Sequence, residues 1–562
     1  MLSVQAPQTI TMTMADGVGL VADVYRPVGP GRFPVLVLRL PYGRRVASTV
    51  VLAHPAWYAA QGYIVVVQDV RGRGTSGGRF RVLEDEAADG AATLTFAADL
   101  DCGNGQVATY GFSYHAMNQF LGLAGAIRAG TRRPDAMVTV MAAWNVRNHW
   151  AYEGNAFRLA DAREWARQMA VENATRDGAY DMAAALLAGF APKEERLVTP
   201  PLLERGAAYS HYRDWVADDP AYWLRLSPNA ALDGIIPDLP VLHIGGWHDI
   251  MLEGTLAAYR AFSENSTQQR LMIGPWAHIP WGRRSGALDC GAKAAQGVDQ
   301  EIVGFFDSVL KGHENPLAPV RLYDCGIRDW RNFSALPEAQ FATLYLGSGG
   351  RACPTSEDGI LADRPGHAAV DYIVHDPWRP APACGLHLGA PYGYAKRSAV
   401  DDRGDVAVYT SPPLISTVML CGATEISLDL SCDQLSFDLH LVLSMVTPDF
   451  EVIALASGHW HQPDGAEANI KVALRFTTMT IPAGFRLRLS LQASAFPAFP
   501  INPGTGLPPQ QAGISDALVT TLSIRTSQAG HCRIRLPLLD AAQLQLTQDT
   551  PSPQGRTAQE IH

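Results

Sequence analysis

Residues 106–127 read Gln-Val-Ala-Thr-Tyr-Gly-Phe-Ser-Tyr-His-Ala-Met-Asn-Gln-Phe-Leu-Gly-Leu-Ala-Gly-Ala-Ile. An apolar strand-like run ends at Gly111, and an Ala- and Gly-rich helix opens at Tyr114. Ser113 therefore stands on a sharp strand-to-helix turn. Such a turn is strained and wants a small residue two places before the serine, where Gly111 sits. The helix N-terminus that follows offers amide groups to a developing negative charge. The motif alone also suits an ordinary serine at a helix start. The usual second glycine is missing, since positions 115 and 116 are His and Ala.

The same alternation runs outward in both directions. Val35–Leu40 and Tyr63–Gln68 are short apolar runs, separated by helical spacing from Val46 to Gln61. Ala136–Met141, Val241–Gly245 and Gln269–Gly274 are further apolar strands. Short apolar strands alternating with helices predict a parallel sheet covered on both faces. Ahead of them, Thr9–Met14 and Leu20–Tyr25 alternate about Asp16-Gly17, a hairpin signal. From Trp144 to about Asp238 the chain is instead rich in Ala, Arg and Glu. There Leu159, Ala162, Ala166 and Met169 fall on one face of a helix. A third region begins near Phe341, with a Pro-rich loop in HDPWRPAPACG. It continues in strand-like runs at Val406–Tyr409, Thr424–Leu430, Leu435–Val442, Val452–Ser457, Ile470–Phe476 and Arg486–Gln492, the pattern of a β-sandwich. The expected division is an α/β-hydrolase domain over 1–143 and 239–340, a helical cap over 144–238, and a β-sandwich over 341–562. The polar tail from Thr547 is expected to fray.

Composition narrows the function. The 562 residues are 47% hydrophobic and 18% charged, enough for a large core. A formal net charge of −10 argues against nucleic acid or an anionic membrane as partner. No basic start with an apolar segment opens the chain, and no run of 18 uncharged apolar residues occurs, so neither a secretory signal nor a membrane span is expected. The eight cysteines form no Cys-x-x-Cys pair, which leaves a zinc or thioredoxin-like motif without support. Reduced thiols and a cytoplasmic protein are the simplest expectation.

If Ser113 is a nucleophile, its partners follow in the order acid, then histidine. Asp249 in Gly-Gly-Trp-His-Asp-Ile-Met and His278 in Gly-Pro-Trp-Ala-His-Ile each lie just past an apolar strand. Loop tips at strand C-termini are where such folds place function. His115 beside the serine and His248 beside the acid are competitors, though His248 should point the opposite way. Ser76 is the next serine in line. Arg71–Gly78 lacks the ending of a phosphate-binding loop and reads as a tight turn, with Asp69 and Arg71 as structural polar partners. His459-Trp460-His461 puts two imidazoles on one strand face, but without a carboxylate or Cys in pattern, and no metal site is expected.

The chain resembles the cocaine-esterase and X-prolyl dipeptidyl-peptidase group of serine hydrolases, which also holds glutaryl acylases and α-amino acid ester hydrolases. The likeness spans Asp16-Gly17 with Tyr25-Arg26-Pro27, Pro41-Tyr42, Gln68-Asp69-Val70-Arg71-Gly72-Arg73-Gly74-Thr75-Ser76-Gly77-Gly78, Gly111-Phe112-Ser113-Tyr114 with Gln119, and Gly274-Pro275-Trp276-Ala277-His278. It extends to Tyr409-Thr410-Ser411, Phe496-Pro497 and Asn502-Pro503-Gly504-Thr505-Gly506. The resemblance implies an α/β-hydrolase domain, an inserted helical cap and a C-terminal jelly-roll-like all-β domain. It implies Ser113 as nucleophile, Asp249 as acid and His278 as base. It implies oxyanion donors in the Tyr42 hydroxyl and the Tyr114 amide. Trp150 and Trp165 match positions that line the acyl pocket, with Trp144 a further cap aromatic.

Two departures bear on function. Ala116 replaces the second elbow glycine, and its methyl should crowd helix against strand. Asp249 is followed by Ile250, Met251 and Leu252, where α-amino acid ester hydrolases place acids that hold an ammonium. An uncharged aromatic or aliphatic acyl group is therefore expected, with Met251 at the substrate, unless Glu153 or Glu253 reaches in. The expected activity is cleavage of a small-molecule carboxylic ester or amide through an acyl-enzyme, with no cofactor. A biosynthetic acyltransferase or peptidase with the same triad, and a silent binding protein, are the alternatives. A homo-oligomer is left open.

Overall fold

The computed structural model describes residues 1–46, 51–190, 198–279, 281–295, 297–465 and 467–547. Part of the Val46–Gln61 segment (residues 47–50) and the tail beyond Thr547 lie outside them; within the segment, Pro55–Ala60 is helical.

A ten-stranded sheet carries the first half of the chain. Its order is Asp329–Phe333, Val320–Asp324, Gln269–Ala277, Val241–His248, Ala136–Val140, Gly103–Phe112, Phe33–Leu40, Ile64–Asp69, Gly19–Tyr25 and Gln8–Thr13. The strands from Val320–Asp324 to Ile64–Asp69 pair in parallel, while both edges are antiparallel. Every residue of Ile64–Asp69, Ala136–Val140 and Val241–His248 is buried, as expected of strands covered on both faces. The hairpin about Asp16-Gly17 forms as an edge of this sheet.

Two helices cover one face, and glycine decides how closely they approach. A Cβ on Gly90 would stand 2.7 Å from Gly122 Cα, and one on Gly125 would stand 2.0 Å from the Ala87 carbonyl oxygen. Helix Glu86–Ala98 thus lies against helix Tyr114–Ala129 backbone to backbone. That contact fixes the helix that begins just after Ser113.

The helical insertion opens with the π-helical turn Arg147–Ala151 and the short hairpin Tyr152–Glu153 and Ala156–Phe157, followed by helix Leu159–Arg176, on which Leu159, Ala162, Ala166 and Met169 are all buried. Tyr180–Ala188, Pro201–Arg205, Tyr212–Ala217, Pro220–Leu226 and Pro228–Ala231 follow. Arg73, with a fully buried side chain, pins the insertion to the sheet domain. It donates to Asn173 Oδ1 at 3.1 Å, approaches Glu172 to 3.3 Å and stacks over Phe80 at 4.1 Å. The tight loop around it has further internal ties: Arg71 to Asp89 and Asp16, and Arg44 to Asp69.

The all-β domain is jelly-roll-like and built of thirteen strands. The expected runs form as Val406–Thr410, Glu425–Cys432, Phe437–Val446, Val452–Gln462, Glu467–Ala473 and Arg486–Gln492. Burial in Glu425–Cys432 alternates residue by residue, the mark of a strand with one wet face. Phe437–Val446 is buried throughout. Its neighbour Val452–Gln462 meets the hydrolase half: the His461 amide donates to the Gly154 carbonyl at 2.9 Å. A Cβ on Gly154 would fall 1.7 Å from His459 O, so only glycine allows this docking.

Candidate active site

Ser113 leaves the strand Gly103–Phe112 with φ 60° and ψ −121°. Such a conformation costs a non-glycine residue about 1–3 kcal/mol and must be held by its surroundings. The Ser113 amide donates to Val140 O at 2.8 Å, and its carbonyl accepts from the Ala116 and Met117 amides at 2.8 and 3.1 Å. A Cβ on Gly111 would lie 2.5 Å from His115 Cβ, which explains the glycine two places before the serine. The methyl of Ala116 is fully buried and accommodated in the core between helix and sheet.

Asp249 and His278, just past the ends of strands Val241–His248 and Gln269–Ala277, converge on this serine. His278 Nε2 lies 3.0 Å from Ser113 Oγ, and His278 Nδ1 lies 2.6 Å from Asp249 Oδ1. The Asp249 side chain is fully buried, while His278 keeps a quarter of its side chain exposed. With Nδ1–H donated to the carboxylate, Nε2 is left to accept from the serine hydroxyl. That arrangement can draw a proton from Ser113 and stabilise the imidazolium it makes.

The turn that carries Asp249 is held from the all-β domain. Arg475, itself buried, donates to the carbonyl oxygens of Asp249 and of Ile250, the latter at 3.3 Å. Glu253 accepts from the Phe476 amide at 3.0 Å. Sequence reasoning missed Arg475 because it lies 226 residues from Asp249 and in another domain.

Of the competing histidines, His248 is buried edge-on against Tyr394, with ring centres 4.3 Å apart. His115 packs against Tyr42 and has no hydrogen-bond partner on Nε2. Burial pushes both imidazoles down to about 3, so both are neutral near pH 7. The Ser76 hydroxyl is buried and donates to Asp69 O at 2.7 Å, which leaves it no route to attack. His459 and His461 both meet Asp438, at 3.4 and 2.7 Å, in a polar seam. Among the described residues no group of three metal-ligating side chains could hold an ion.

A cavity of about 690 Å³ opens over the serine. Tyr42, Trp150, Trp165 and Met251 line it, and so do Trp215 and Trp223, which sequence reasoning did not single out. Trp150 stands edge-on to Trp165 at 5.1 Å and to Trp215 at 4.9 Å, while Trp165 stacks on Trp215 at 5.2 Å. The Trp165 indole donates to the Tyr42 oxygen at 3.2 Å. Burial raises the Tyr42 phenol above its usual range, so it stays protonated and able to donate. The Tyr114 phenol is engaged elsewhere, donating to Glu86 at 2.7 Å and accepting from the Leu83 amide at 3.1 Å. Trp144 does not reach the cavity. It packs into the core against Phe120 and Phe262, with ring centres 5.2 and 5.9 Å away.

Glu153 and Glu253, the exceptions left open to an apolar pocket, do not line the cavity. Glu253 is turned toward Phe476, and Glu153 is bound by Arg158 and His387. The acids that line the cavity are Asp161 and Glu164, on the helix that carries Trp165. Their spacing to Trp165 puts Asp161 one turn away on the same face, a signal the sequence did contain. Asp161 accepts from the Tyr392 hydroxyl at 3.3 Å and lies 3.9 Å from Arg158.

Comparison with known proteins places the chain. The X-Pro dipeptidyl-peptidase (S15 family) model matches residues 16–280, and the X-Pro dipeptidyl-peptidase C-terminal non-catalytic domain matches 313–532. The chain belongs to this family. It is 28% identical over 539 residues to the cocaine esterase of Rhodococcus sp. (strain MB1 Bresler), covering 88% of this chain and 92% of that one. An aminopeptidase from a marine sediment archaeon (Thaumarchaeota archaeon) superposes with a TM-score of 0.81 at 20% identity, covering 96% of this chain and 97% of that one. A selenomethionine-labelled α-amino acid ester hydrolase superposes with a TM-score of 0.78, also at 20% identity, with the same coverage. The protein is a hydrolase acting on ester or amide bonds. Among the described residues no helix is long and apolar enough to cross a membrane.

Arg475→Met removes the two donors that hold the Asp249 turn. Turnover of an ester substrate is expected to fall by as much as about 100-fold, the scale of a displacement near 1 Å, with KM changing little. Steady-state kinetics on folded protein checks this, and an unchanged kcat would mean that the turn holds itself.

Proposed function

We propose that this hydrolase cleaves carboxylic esters or amides through an acyl-enzyme on Ser113. The reading is carried by the continuous hydrogen-bond chain from Asp249 through His278 to Ser113 at the floor of an aromatic cavity. His278 takes the serine proton as Oγ attacks the carbonyl carbon, then passes it to the departing alkoxide or amine. Water repeats the sequence in reverse and releases the acid. The Tyr42 hydroxyl and the Tyr114 amide receive the oxyanion of each tetrahedral intermediate. The acyl group lies against Trp150, Trp165 and Met251, and burial of an uncharged aromatic or aliphatic group there needs no counter-ion.

Ser113→Ala is expected to cut turnover by roughly 10⁶-fold, with the thermal midpoint near wild type. A fluorophosphonate should add to Ser113 and to no residue in the variant; retained turnover or labelling in the variant would move the nucleophile elsewhere.

Tyr42→Phe deletes one hydroxyl. The expected loss is about 2.7–4 kcal/mol of transition-state stabilisation, seen in kcat. A kcat within about threefold of wild type, far below that expectation, excludes Tyr42 as an oxyanion donor.

A matched pair of esters, phenylacetyl against phenylglycyl, tests the acyl pocket. Below the amine pKa the phenylglycyl group is charged, and its kcat/KM is expected to be the lower of the two. A preference for the charged ester would assign Asp161 and Glu164 to ammonium binding.

A further inference from the structure

The cavity lining and the proposed triad use none of the eight cysteines, yet two of these meet. Cys290 follows the short hairpin Arg284–Ser285 and Leu288–Asp289, in the segment leading away from His278. Cys325 directly follows the strand Val320–Asp324. The Cys325 thiol donates to the Cys290 sulfur with only 3.2 Å between them. Both side chains are buried, at 0% and 7% exposure. No other two cysteines make a thiol–thiol hydrogen bond among the described residues.

The surroundings hold the two sulfurs in register. The Cys290 amide donates to Arg283 O at 2.9 Å, and the Cys290 carbonyl accepts from the Tyr323 hydroxyl at 2.6 Å, one strand position from Asp324 and two from Cys325. Trp276, two residues before His278, donates its indole N–H to Ala294 O at 2.7 Å and so ties down the far side of the same segment. A disulfide needs the sulfurs about 2.0 Å apart, so closure asks for a movement of little more than 1 Å.

The geometry points to Cys290 and Cys325 as an oxidisable pair that closes to an internal disulfide, linking the segment after His278 to the edge of the sheet. The chemistry is asymmetric. The hydrogen bond from Cys325 lowers the Cys290 thiol below its ordinary pKa, while burial raises the Cys325 thiol well above its own. Cys290 is therefore the attacking thiolate. With hydrogen peroxide as oxidant, its sulfur takes one oxygen, the O–O bond breaks and hydroxide leaves, giving a sulfenic acid. Cys325 then attacks that sulfur and the sulfenic oxygen departs as water. In sum two thiols lose two electrons and two protons, and one peroxide becomes two waters. The cross-link closes a loop whose ends are 35 residues apart, which contains helix Val298–Lys311 and strand Val320–Asp324. Restricting that loop in the unfolded chain stabilises the folded one. Both sulfurs stand away from the cavity lining, so the link should leave turnover intact.

The full-length protein is exposed to hydrogen peroxide, denatured, alkylated with iodoacetamide and mapped by mass spectrometry. The expected product is one cross-linked peptide joining Cys290 to Cys325, two hydrogens lighter than the thiols and reversed by dithiothreitol. Ester turnover should be unchanged, and the thermal midpoint should rise by a few degrees. Cys325→Ala should lose both the cross-link and the gain in midpoint. The proposal is overturned if both cysteines are recovered alkylated, or over-oxidised, at a peroxide dose that oxidises the exposed Cys102. It is equally overturned if the cross-link joins any other pair. The mass readout on the unaltered protein decides the matter even where the variant fails to fold.

Discussion

A fully buried carboxylate hydrogen-bonded to an imidazole with a quarter of its side chain exposed is the contact on which the arrangement of the site turns. Asp249 lies where water does not reach, and a charge there is tolerated only with partners fixed in advance. The parallel sheet supplies the frame, because the ends of three of its strands bring Ser113, Asp249 and His278 together from three distant stretches of chain. The sheet alone does not hold the Asp249 turn. Arg475 reaches across from the all-β domain to two consecutive carbonyl oxygens, and Glu253 answers by accepting from the Phe476 amide. The C-terminal domain is thus part of the site's scaffold, and its Tyr392 lines the cavity.

The fold was legible where local chemistry and tertiary outcome agree. Apolar runs such as Val241–Gly245 became buried parallel strands, and the face made by Leu159, Ala162, Ala166 and Met169 became the inner face of the first cap helix. The alternating runs after Phe341 became sheet strands nearly where expected. Illegible elements depend on partners remote in sequence. Strand Val320–Asp324 and the edge strand Asp329–Phe333 have no long apolar run, and helix Glu86–Ala98 shows its purpose only through the glycine contact with Gly122 and Gly125. The residues proposed as the triad were legible from order and strand-end position. The walls of the cavity were legible only in part, since Trp215 and Trp223 sit on short cap helices whose orientation no local pattern sets. Trp144 shows the converse: a tryptophan at the cap entrance that the core takes for itself.

The cap sets an opposition between two kinds of wall. Four tryptophans and Met251 present apolar surface, yet Asp161 and Glu164 share the same cavity on the helix that carries Trp165. An acid binds a substrate ammonium well when it is ionised and otherwise uncompensated. Asp161 is already compensated: burial raises its carboxyl above the ordinary aspartate range, the Arg158 guanidinium lies 3.9 Å away and the Tyr392 hydroxyl donates to it at 3.3 Å. Glu164 is likewise engaged, with Arg167 at 2.8 Å. Neither resembles an open pair of carboxylates waiting for a cation. Transfer of a charged amine from water into the tryptophan-lined part of the cavity would lose its hydration for only partial compensation. Transfer of a neutral ring gains the hydrophobic term and edge-to-face contacts with tryptophan. The balance of these two costs, set by side chains from several cap elements, is the physical ground for the proposed preference for an uncharged acyl group.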